Sequence, residues 1–210
     1  MDISQLRKDY NHSSIEDHAL PDEPFNWFKM WLEDAVSSGE PEPTAMVLST
    51  VSTNGRPTSR VVLLKAYDEQ GFIFFTNYMS RKGKDIASNP FVALNFFWPL
   101  TERQVRVEGK VSKLQAELSD QYFNSRPLES RINAIISPQS TVITSRQELE
   151  EKRQKLSESG AENLSRPSNW GGYCVECNRI EFWQGRPGRL HDRIVYLLEN
   201  KVWTTLRLAP

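Results

Sequence analysis

The chain has 210 residues, of which 38% are hydrophobic and 25% charged, a composition that allows a globular fold with a substantial core. Its 26 Lys and Arg against 27 Asp and Glu give a formal net charge of -1. This balance argues against a general nucleic-acid-binding protein. No apolar run approaches the roughly 20 residues of a membrane span, and the N-terminus lacks a secretory apolar core. We therefore expect a soluble, cytoplasmic protein whose anion sites, where present, are local clusters.

The chain opens with a polar segment and a helix. Residues 1–20 are polar, and we expect them to be mobile or ordered only against a ligand. Apolar side chains then recur at helical spacing from Phe25 to Val36, and Gly39 ends the pattern. The sequence therefore predicts an amphipathic helix ahead of the first strand.

Apolar runs separated by turn residues follow, which indicates antiparallel strands joined mostly by hairpins. Asn54-Gly55 between the first two runs is the strongest short hairpin signal. A short helix with Ser80 as its N-cap interrupts the strands, with Pro90 beyond its end. The predicted strands are 45–51, 60–67, 72–76, 91–98, 103–114, 172–184, 193–199 and 201–206.

The stretch from Gln115 to about Gly160 is polar with helical spacing, broken at Pro127 and Pro138. Strands with inserted helices favour a mainly β fold with flanking helices, an antiparallel barrel rather than a βαβ sheet. The sequence contains neither a Gly-rich dinucleotide fingerprint nor a P-loop. The phosphate of any nucleotide-like cofactor would therefore need side chains and a helix start.

Two cation pairs lie in structured surroundings. Arg60 and Lys65 bracket four aliphatic residues, and their odd separation places them on opposite faces of an ideal strand. Taken alone, a solvated strand edge explains this pair. Arg81 and Lys82 occupy the first turn of the short helix, where the macrodipole disfavours cations. An anion bound at that helix start would explain the second pair.

A third cluster, Tyr122, Arg126 and Ser130, recurs at four-residue spacing. The three residues share one helix face if the element is continuous, although Pro127 could instead lie in the first turn of a new helix. A guanidinium fork with two hydroxyls suits a phosphate.

The sequence lacks the residues that hydrolytic or metal-dependent catalysis would need. His191 is the one histidine outside the N-terminal segment and adjoins Asp192, but no nucleophile is evident. Cys174 and Cys177 lie on a predicted strand, at positions that point to opposite faces. We expect two unlinked reduced thiols there rather than a metal site.

The C-terminal motif carries the most specific resemblance to a known family. Glu181-Phe182-Trp183-Gln184, four residues, and then Arg189-Leu190-His191-Asp192-Arg193 resemble the pattern of the pyridoxine/pyridoxamine 5′-phosphate oxidases, FMN enzymes that make pyridoxal 5′-phosphate. Other motifs match in order along nearly the whole chain: Arg60 to Lys65, Thr76-Asn77, Ser80-Arg81-Lys82, Arg103-Gln104-Val105, Ser125-Arg126-Pro127, Gln139-Ser140, Trp170-Gly171-Gly172 and Arg207-Leu208-Ala209-Pro210.

The resemblance implies an FMN-binding split β-barrel over residues 21–210, with residues 1–20 as a mobile segment that folds over the substrate. It implies a homodimer with FMN at the interface. The reaction would oxidise pyridoxine or pyridoxamine 5′-phosphate by hydride transfer to FMN. Molecular oxygen would then reoxidise the flavin and release hydrogen peroxide.

The resemblance also implies the site residues and no metal. Arg189 would orient the substrate and support charge at the reacting carbon, and His191 would position the substrate. Arg60 and Lys65 would serve two different phosphates. The residues implied for FMN are Arg60, Val61, Val62, Leu63, Leu64, Lys65, Phe75, Thr76, Arg81, Lys82, Gln104, Gln139, Ser140, Trp183 and Arg193. Those implied for the substrate are Arg7, Lys8, Asp9, Tyr10, Lys65, Tyr122, Arg126, Ser130, Arg189, Leu190 and His191.

Two other functions stay open at this point. One is a non-catalytic carrier of FMN or pyridoxal phosphate on the same barrel. The other is a nucleic-acid-binding module that uses Arg81, Lys82 and Lys84, which the balanced charge disfavours. The chain also departs from many relatives, which carry Gln and Gly where it has Arg131 and Asn133. We expect Arg131 to add a cation near the substrate phosphate.

Overall fold

The structure, a computed structural model, describes residues 1–6, 9–158 and 164–210, without the side chain of Asp17. The helices are α1 (Pro24–Ser37), α2 (Arg81–Ser88), α3 (Ala116–Ser125), α4 (Leu128–Ile136) and α5 (Arg146–Glu158). The strands are β1 (Ala45–Val51), β2 (Pro57–Leu63), β3 (Ala66–Asp68), β4 (Gly71–Asn77), β5 (Phe91–Trp98), β6 (Arg103–Lys113), β7 (Trp170–Gln184), β8 (Asp192–Glu199) and β9 (Val202–Arg207). The predicted mainly β fold with flanking helices is confirmed.

The strands of the described ranges form one antiparallel sheet built around the 15-residue strand β7. Strand β6 pairs along one edge of β7. On the other edge, β4 pairs with residues 170–175 and β8 with residues 179–184. The remaining order is β2-β1-β5-β6 on one side and β4-β3 on the other, while β9 extends β8. Because β7 exchanges β4 for β8 midway, the sheet divides into the two parts of a split barrel.

Helix α1 supplies much of the aromatic core. Phe28 is fully buried, with its ring centroid 4.9 Å from that of Phe72 and 5.1 Å from that of Phe96. Trp27 stacks on Phe182 at 4.2 Å. Val36, predicted on the buried face, is instead exposed. One residue step turns a helix by about 100°, which carries Val36 away from the buried face on which Ala35 lies.

The predicted strand 60–67 is wrong because it is two strands. Strand β2 ends at Leu63 and β3 begins at Ala66. Between them, the Leu64 N–H donates to the Thr44 carbonyl and the Lys65 N–H donates to the Ile73 carbonyl. The chain therefore changes hydrogen-bond partner from the β1 side to β4 at this point. Lys65 lies outside a regular strand, so the opposite-face argument for Arg60 and Lys65 does not apply.

The helical region also departs from the continuous pattern. Helix α3 ends at Ser125, Arg126 is extended (φ -75°, ψ 149°), and Pro127 is the N-cap of α4 rather than a residue of its first turn. A proline disfavours helical backbone in the residue before it, which explains the break at Arg126. A single helix face through Tyr122, Arg126 and Ser130 is therefore wrong.

Both cysteines are free and buried, as predicted for unlinked thiols. Burial raises the pKa of Cys174 to about 11 and that of Cys177 to about 12, so both stay protonated. In the part of the chain that the structure describes, no helix is long and apolar enough to cross a membrane.

Candidate active site

A cavity of about 670 Å³ lies between β2, β4, α3 and α4, and we call it the barrel cavity. Its volume is in the range of sites that enclose a small molecule. The residues that line it are Val61, Val62, Leu63, Lys65, Phe75, Thr76, Asn77, Lys82, Tyr122, Arg126, Pro127, Ser130, Asn133, Ala134, Ser137, Gln139 and Trp170. The fold thus brings together many of the residues predicted for FMN with all four of those predicted for the substrate phosphate, Lys65, Tyr122, Arg126 and Ser130.

Lys82 is the most buried cation of this cavity, at 8% exposure. Helix α2 begins after Ser80, whose hydroxyl accepts the Gly83 N–H at 3.3 Å, as predicted for the N-cap. Lys82 Nζ donates to Thr76 Oγ1 and to Gln139 Oε1, both at 3.0 Å. Burial, with a smaller contribution from the nearby Arg60 charge, lowers the pKa of Lys82 to about 8. A buried ammonium held by neutral groups fits an anionic ligand.

Arg126 is a second, half-buried cation of the cavity. Its guanidinium carbon lies 4.6 Å from the ring centroid of Trp170, and its Nη1 is buried without a hydrogen-bond partner among the described residues. Burial lowers the pKa of Arg126, which the nearby Tyr122 partly opposes. The Tyr122 ring stacks on Phe75 at 3.8 Å. A buried donor without an acceptor is costly, so this guanidinium fits a phosphate oxygen.

Sequence reasoning assigned no role to Trp170, although it lies in a matched motif. The Trp170 ring is nearly parallel to the rings of Phe75 and Tyr122, and the Arg126 guanidinium packs over it. The Trp170-Gly171-Gly172 motif was the one sequence feature that could have indicated this role.

Helix α4 presents Ser130, Asn133 and Ala134 to the cavity, and its C-cap Ser137 also lines it. Arg131 is not among the lining residues, and its buried Nε has no hydrogen-bond partner in the described ranges. Of the two departures from relatives, Asn133 therefore reaches the cavity and Arg131 does not.

Seven residues predicted for FMN lie outside the cavity lining, and Arg60, Leu64, Arg81 and Ser140 are four of them. Arg60 donates from Nη1 to Thr50 Oγ1 at 2.8 Å and lies 3.9 Å from the buried carboxylate of Asp85. Leu64 is buried in the core, and Arg81 and Ser140 are exposed. The structure therefore gives Arg60 an internal anion as its partner.

Gln104, Trp183 and Arg193 form a row across β6, β7 and β8 in matched register. Arg193 donates from Nε to Glu181 Oε1 at 2.9 Å, and its Nη2 lies 2.8 Å from the same oxygen. Burial alone raises the pKa of Glu181, but hydrogen bonds from Arg193 and Arg179 outweigh it and hold the pKa below its usual value. Arg193 is therefore fixed by a buried carboxylate within the chain.

The loop between β7 and β8 carries Arg189 and His191. Arg189 is exposed and has left-handed backbone (φ 64°), and Leu190 beside it is 74% exposed. His191 Nδ1 accepts the Arg186 N–H at 3.0 Å, which leaves the proton of a neutral imidazole on Nε2. The His191 ring lies 4.7 Å from that of Trp183.

The N-terminal strap, which we define as residues 9–15, meets this loop. The Tyr10 ring lies edge-on to Trp183 at 5.6 Å and to His191 at 5.7 Å. Asp9 is exposed, and Arg7 and Lys8 lie outside the described residues. Together Tyr10, Gln104, Trp183, Arg189, His191 and Arg193 form what we call the C-terminal set. None of its members lines the barrel cavity, so one chain presents the predicted site in two parts.

The sheet that divides at β7 and the cavity with its unpaired cations define a protein of the split β-barrel class with a candidate anion-binding site. Residues 32–158 match the family model of pyridoxamine 5′-phosphate oxidase, and residues 170–210 match that of the pyridoxine 5′-phosphate oxidase C-terminal dimerisation region. The chain therefore belongs to the pyridoxine/pyridoxamine 5′-phosphate oxidase family and is an oxidoreductase.

Comparisons with individual proteins support the same family assignment. The chain is 52% identical to the pyridoxine/pyridoxamine 5′-phosphate oxidase of Actinobacillus succinogenes over 100% of both chains. It is 48% identical to that of Legionella pneumophila strain Paris, over 99% of this chain and 97% of the relative. PhzG of Burkholderia lata, solved with tetrahydrophenazine-1-carboxylic acid, is 29% identical with a TM-score of 0.91, over 97% of this chain and 100% of that one.

Proposed function

We propose that this protein is an FMN-dependent oxidase that converts pyridoxine and pyridoxamine 5′-phosphate to pyridoxal 5′-phosphate. The observation that carries the proposal is that buried Lys82 and half-buried Arg126, two cations without an acidic partner in the described ranges, line one cavity. FMN and the substrate each bring a phosphate. Two such cations in one cavity match two such ligands.

The donors divide into two groups. Lys82, Thr76 and Gln139 already form a hydrogen-bonded cluster, and we assign them to the FMN phosphate, with Arg81 and Ser140. We assign the substrate phosphate to Arg126, whose Nη1 lacks a partner in the described ranges, together with its neighbours Lys65, Tyr122 and Ser130. In this assignment Arg60 does not contact the FMN phosphate, since it lies outside the cavity lining and has Asp85 as its partner.

FMN supplies the hydride acceptor of this reaction, and molecular oxygen takes up the electrons to give hydrogen peroxide. Arg189 presents a cation from the exposed loop, where it orients the substrate and supports charge at the reacting carbon. His191 has Nδ1 occupied by the Arg186 N–H, so its Nε2 is available to hydrogen-bond the substrate. We assign His191 a positioning role on this ground.

The division of the site supports a homodimer. The C-terminal set lies outside the barrel cavity of its own chain, and residues 170–210 match a dimerisation region. We propose that the C-terminal set of one copy completes the barrel cavity of the other.

Co-expression of Arg126→Met and Arg189→Leu chains tests the shared site. At a substrate concentration well below the raised KM of Arg126→Met, each variant alone is expected to be nearly inactive, but a mixed dimer would have one site with both changes and one site with neither. Random pairing then predicts about a quarter of wild-type activity. If both residues acted within the same chain, the mixture would stay as inactive as its components.

The proposed reaction is tested by the visible spectrum of the purified protein during anaerobic addition of pyridoxamine 5′-phosphate. Flavin absorption that bleaches on addition and returns with air is the expected result. Bound flavin that never bleaches would instead indicate a carrier. No flavin uptake after addition of FMN would contradict the proposal altogether.

A further inference from the structure

Glu102, in the turn between β5 and β6, combines burial with unfavourable backbone. It is 6% exposed and has φ 56°, in the left-handed region. This region costs roughly 1–2 kcal/mol for a residue with a Cβ, whereas glycine adopts it readily. A buried glutamate at such a position indicates that its side chain has a specific structural or functional role.

The side chain holds the N-terminal strap. Glu102 Oε2 accepts the N–H groups of Asn11 and His12, at 2.7 and 2.9 Å. Its own backbone carbonyl accepts the Gly185 N–H at 2.8 Å. Glu102 therefore joins the strap to the start of the loop that carries Arg189 and His191.

Tyr10 immediately precedes the two amides that Glu102 binds. Its ring covers Gly185 so closely that a Cβ on that glycine would lie 2.6 Å from Tyr10 Cγ. The same ring contacts Trp183 and His191 edge-on. The carboxylate thus fixes the backbone at the point from which the Tyr10 ring reaches the loop.

The rest of the strap is also held through its main chain. The Ile15 N–H donates to Asp192 Oδ2 at 3.1 Å, and Arg207 Nη2 donates to the Ile15 carbonyl at 3.0 Å. Arg186 Nη1 donates to the Ser13 carbonyl at 3.3 Å. These anchors lie three or more residues beyond Tyr10, whereas the Glu102 anchor begins at the next residue.

We propose that Glu102 is a positioning residue that holds Tyr10 against Trp183 and His191 and so closes the strap over the substrate. The inference rests on the proposed function for the identity of that substrate. It extends that function by naming the Glu102 carboxylate as the group that keeps the N-terminal strap closed over the substrate.

The test uses full-length holoenzyme carrying Glu102→Gly, Tyr10→Ala or both. Glycine suits the left-handed backbone, so the first change removes the carboxylate without adding strain. Lys201→Gly is the matched control, because Lys201 also has positive φ (65°) and lies in the β8–β9 turn, outside the strap and the C-terminal set. Glu102→Gln, which keeps the side-chain shape, is the second variant should Glu102→Gly fold poorly.

We expect Glu102→Gly to raise the KM for pyridoxamine 5′-phosphate about tenfold, while the affinity for FMN changes less than about twofold. The double variant should be no worse than Tyr10→Ala alone, because the two residues act as one unit. Additive effects on KM, or an unchanged KM in both Glu102 variants, would overturn the proposal.

Hydrogen exchange gives a readout that needs no turnover. The amides of Asn11 and His12 should exchange at least about tenfold faster in Glu102→Gly and at the wild-type rate in Lys201→Gly. Unchanged protection of these amides would also overturn the proposal. If the wild type fails to oxidise pyridoxamine 5′-phosphate, the proposed function fails, while the exchange rates still decide whether Glu102 holds the strap.

Discussion

The cations of the barrel cavity and those of the C-terminal part of the sheet differ in whether they have an acidic partner. In the cavity, buried Lys82 and half-buried Arg126 lie among neutral groups, without an acidic partner in the described ranges. At the C-terminal part, Arg193 is paired with the buried Glu181, and Arg207 with Asp192. The unpaired cations suit the binding of an external anion, whereas the paired ones fix geometry.

The difference has an energetic consequence. Removing one partner of a buried ion pair strands the other charge and is strongly destabilising. Removing a buried cation that has no partner relieves a desolvation cost instead. Substitutions in the cavity should therefore change ligand binding, and substitutions of paired cations should change stability.

Arg189 departs from its surroundings because, within the described ranges, it has no ion pair. We expect Arg189→Leu to lower kcat about 10²- to 10³-fold, the size of the loss when one preorganised electrostatic donor is removed. FMN content and melting temperature should stay at wild-type values. Stopped-flow reduction of the flavin measures the effect, with the exposed Arg153→Leu on α5 as the control. Near-normal turnover would refute the role of Arg189.

The substitution Arg126→Met tests the cavity cations that have no acidic partner in the described ranges. The KM for pyridoxamine 5′-phosphate should rise about 10- to 150-fold, which corresponds to the loss of charge-assisted hydrogen bonds. The melting temperature should be unchanged or higher, because the change removes a buried donor that lacks an acceptor in the described ranges. Arg193→Met is the matched paired cation, and thermal unfolding should show it destabilised. If Arg126→Met unfolded at the lower temperature, the comparison would be wrong.

The sequence predicts local features of this fold well. The β1 and β5 strands and the Ser80 N-cap follow from alternation and from side-chain chemistry within a few residues. The break at Leu64-Lys65 does not, because it depends on hydrogen bonds to Thr44 and Ile73. Such a change of partner is set by barrel closure, which leaves no local signal.

The site shows the same limit. From its own residues the sequence marks Arg81, Lys82 and the Tyr122–Arg126–Ser130 cluster as anion ligands. The structure brings Lys82 and the cluster to one cavity but leaves Arg81 exposed outside its lining. Most other site residues came from the family resemblance. The pairing of Arg60 with Asp85 and the contact of Glu102 with the strap join residues 25 and about 90 positions apart. No periodicity could predict them, since they follow from tertiary packing.

The pKa of Lys82 makes FMN binding depend on pH. Because the folded pKa is lowered from 10.5 to about 8, the unfolded chain holds the proton between these values, and the stability of the flavin-free protein rises with pH across that window. A bound phosphate would raise this pKa, so binding takes up a proton above pH 8. We expect FMN affinity to fall up to about tenfold per pH unit above pH 8, measured by fluorescence quenching.

Riboflavin, which lacks the phosphate, is the matched ligand for this measurement. Its affinity should not follow the Lys82 titration, and Lys82→Met should bind FMN weakly with little dependence on pH. Equal pH profiles for FMN and riboflavin would remove Lys82 from the phosphate site.

The smallest effect is expected at Arg131, where sequence alone predicted an extra cation beside the substrate phosphate. Arg131 does not line the cavity, although its neighbour Ser130 does. An ion pair at the protein surface contributes only about 0.2–1 kcal/mol, or up to roughly a fivefold change in affinity. Arg131→Gln should therefore keep the KM for pyridoxamine 5′-phosphate within about fivefold, in steady-state assays beside Arg126→Met. A rise in KM comparable to that of Arg126→Met would mean that a cation can act on the ligand without lining the cavity. The cavity lining would then no longer identify the cations that bind the ligand.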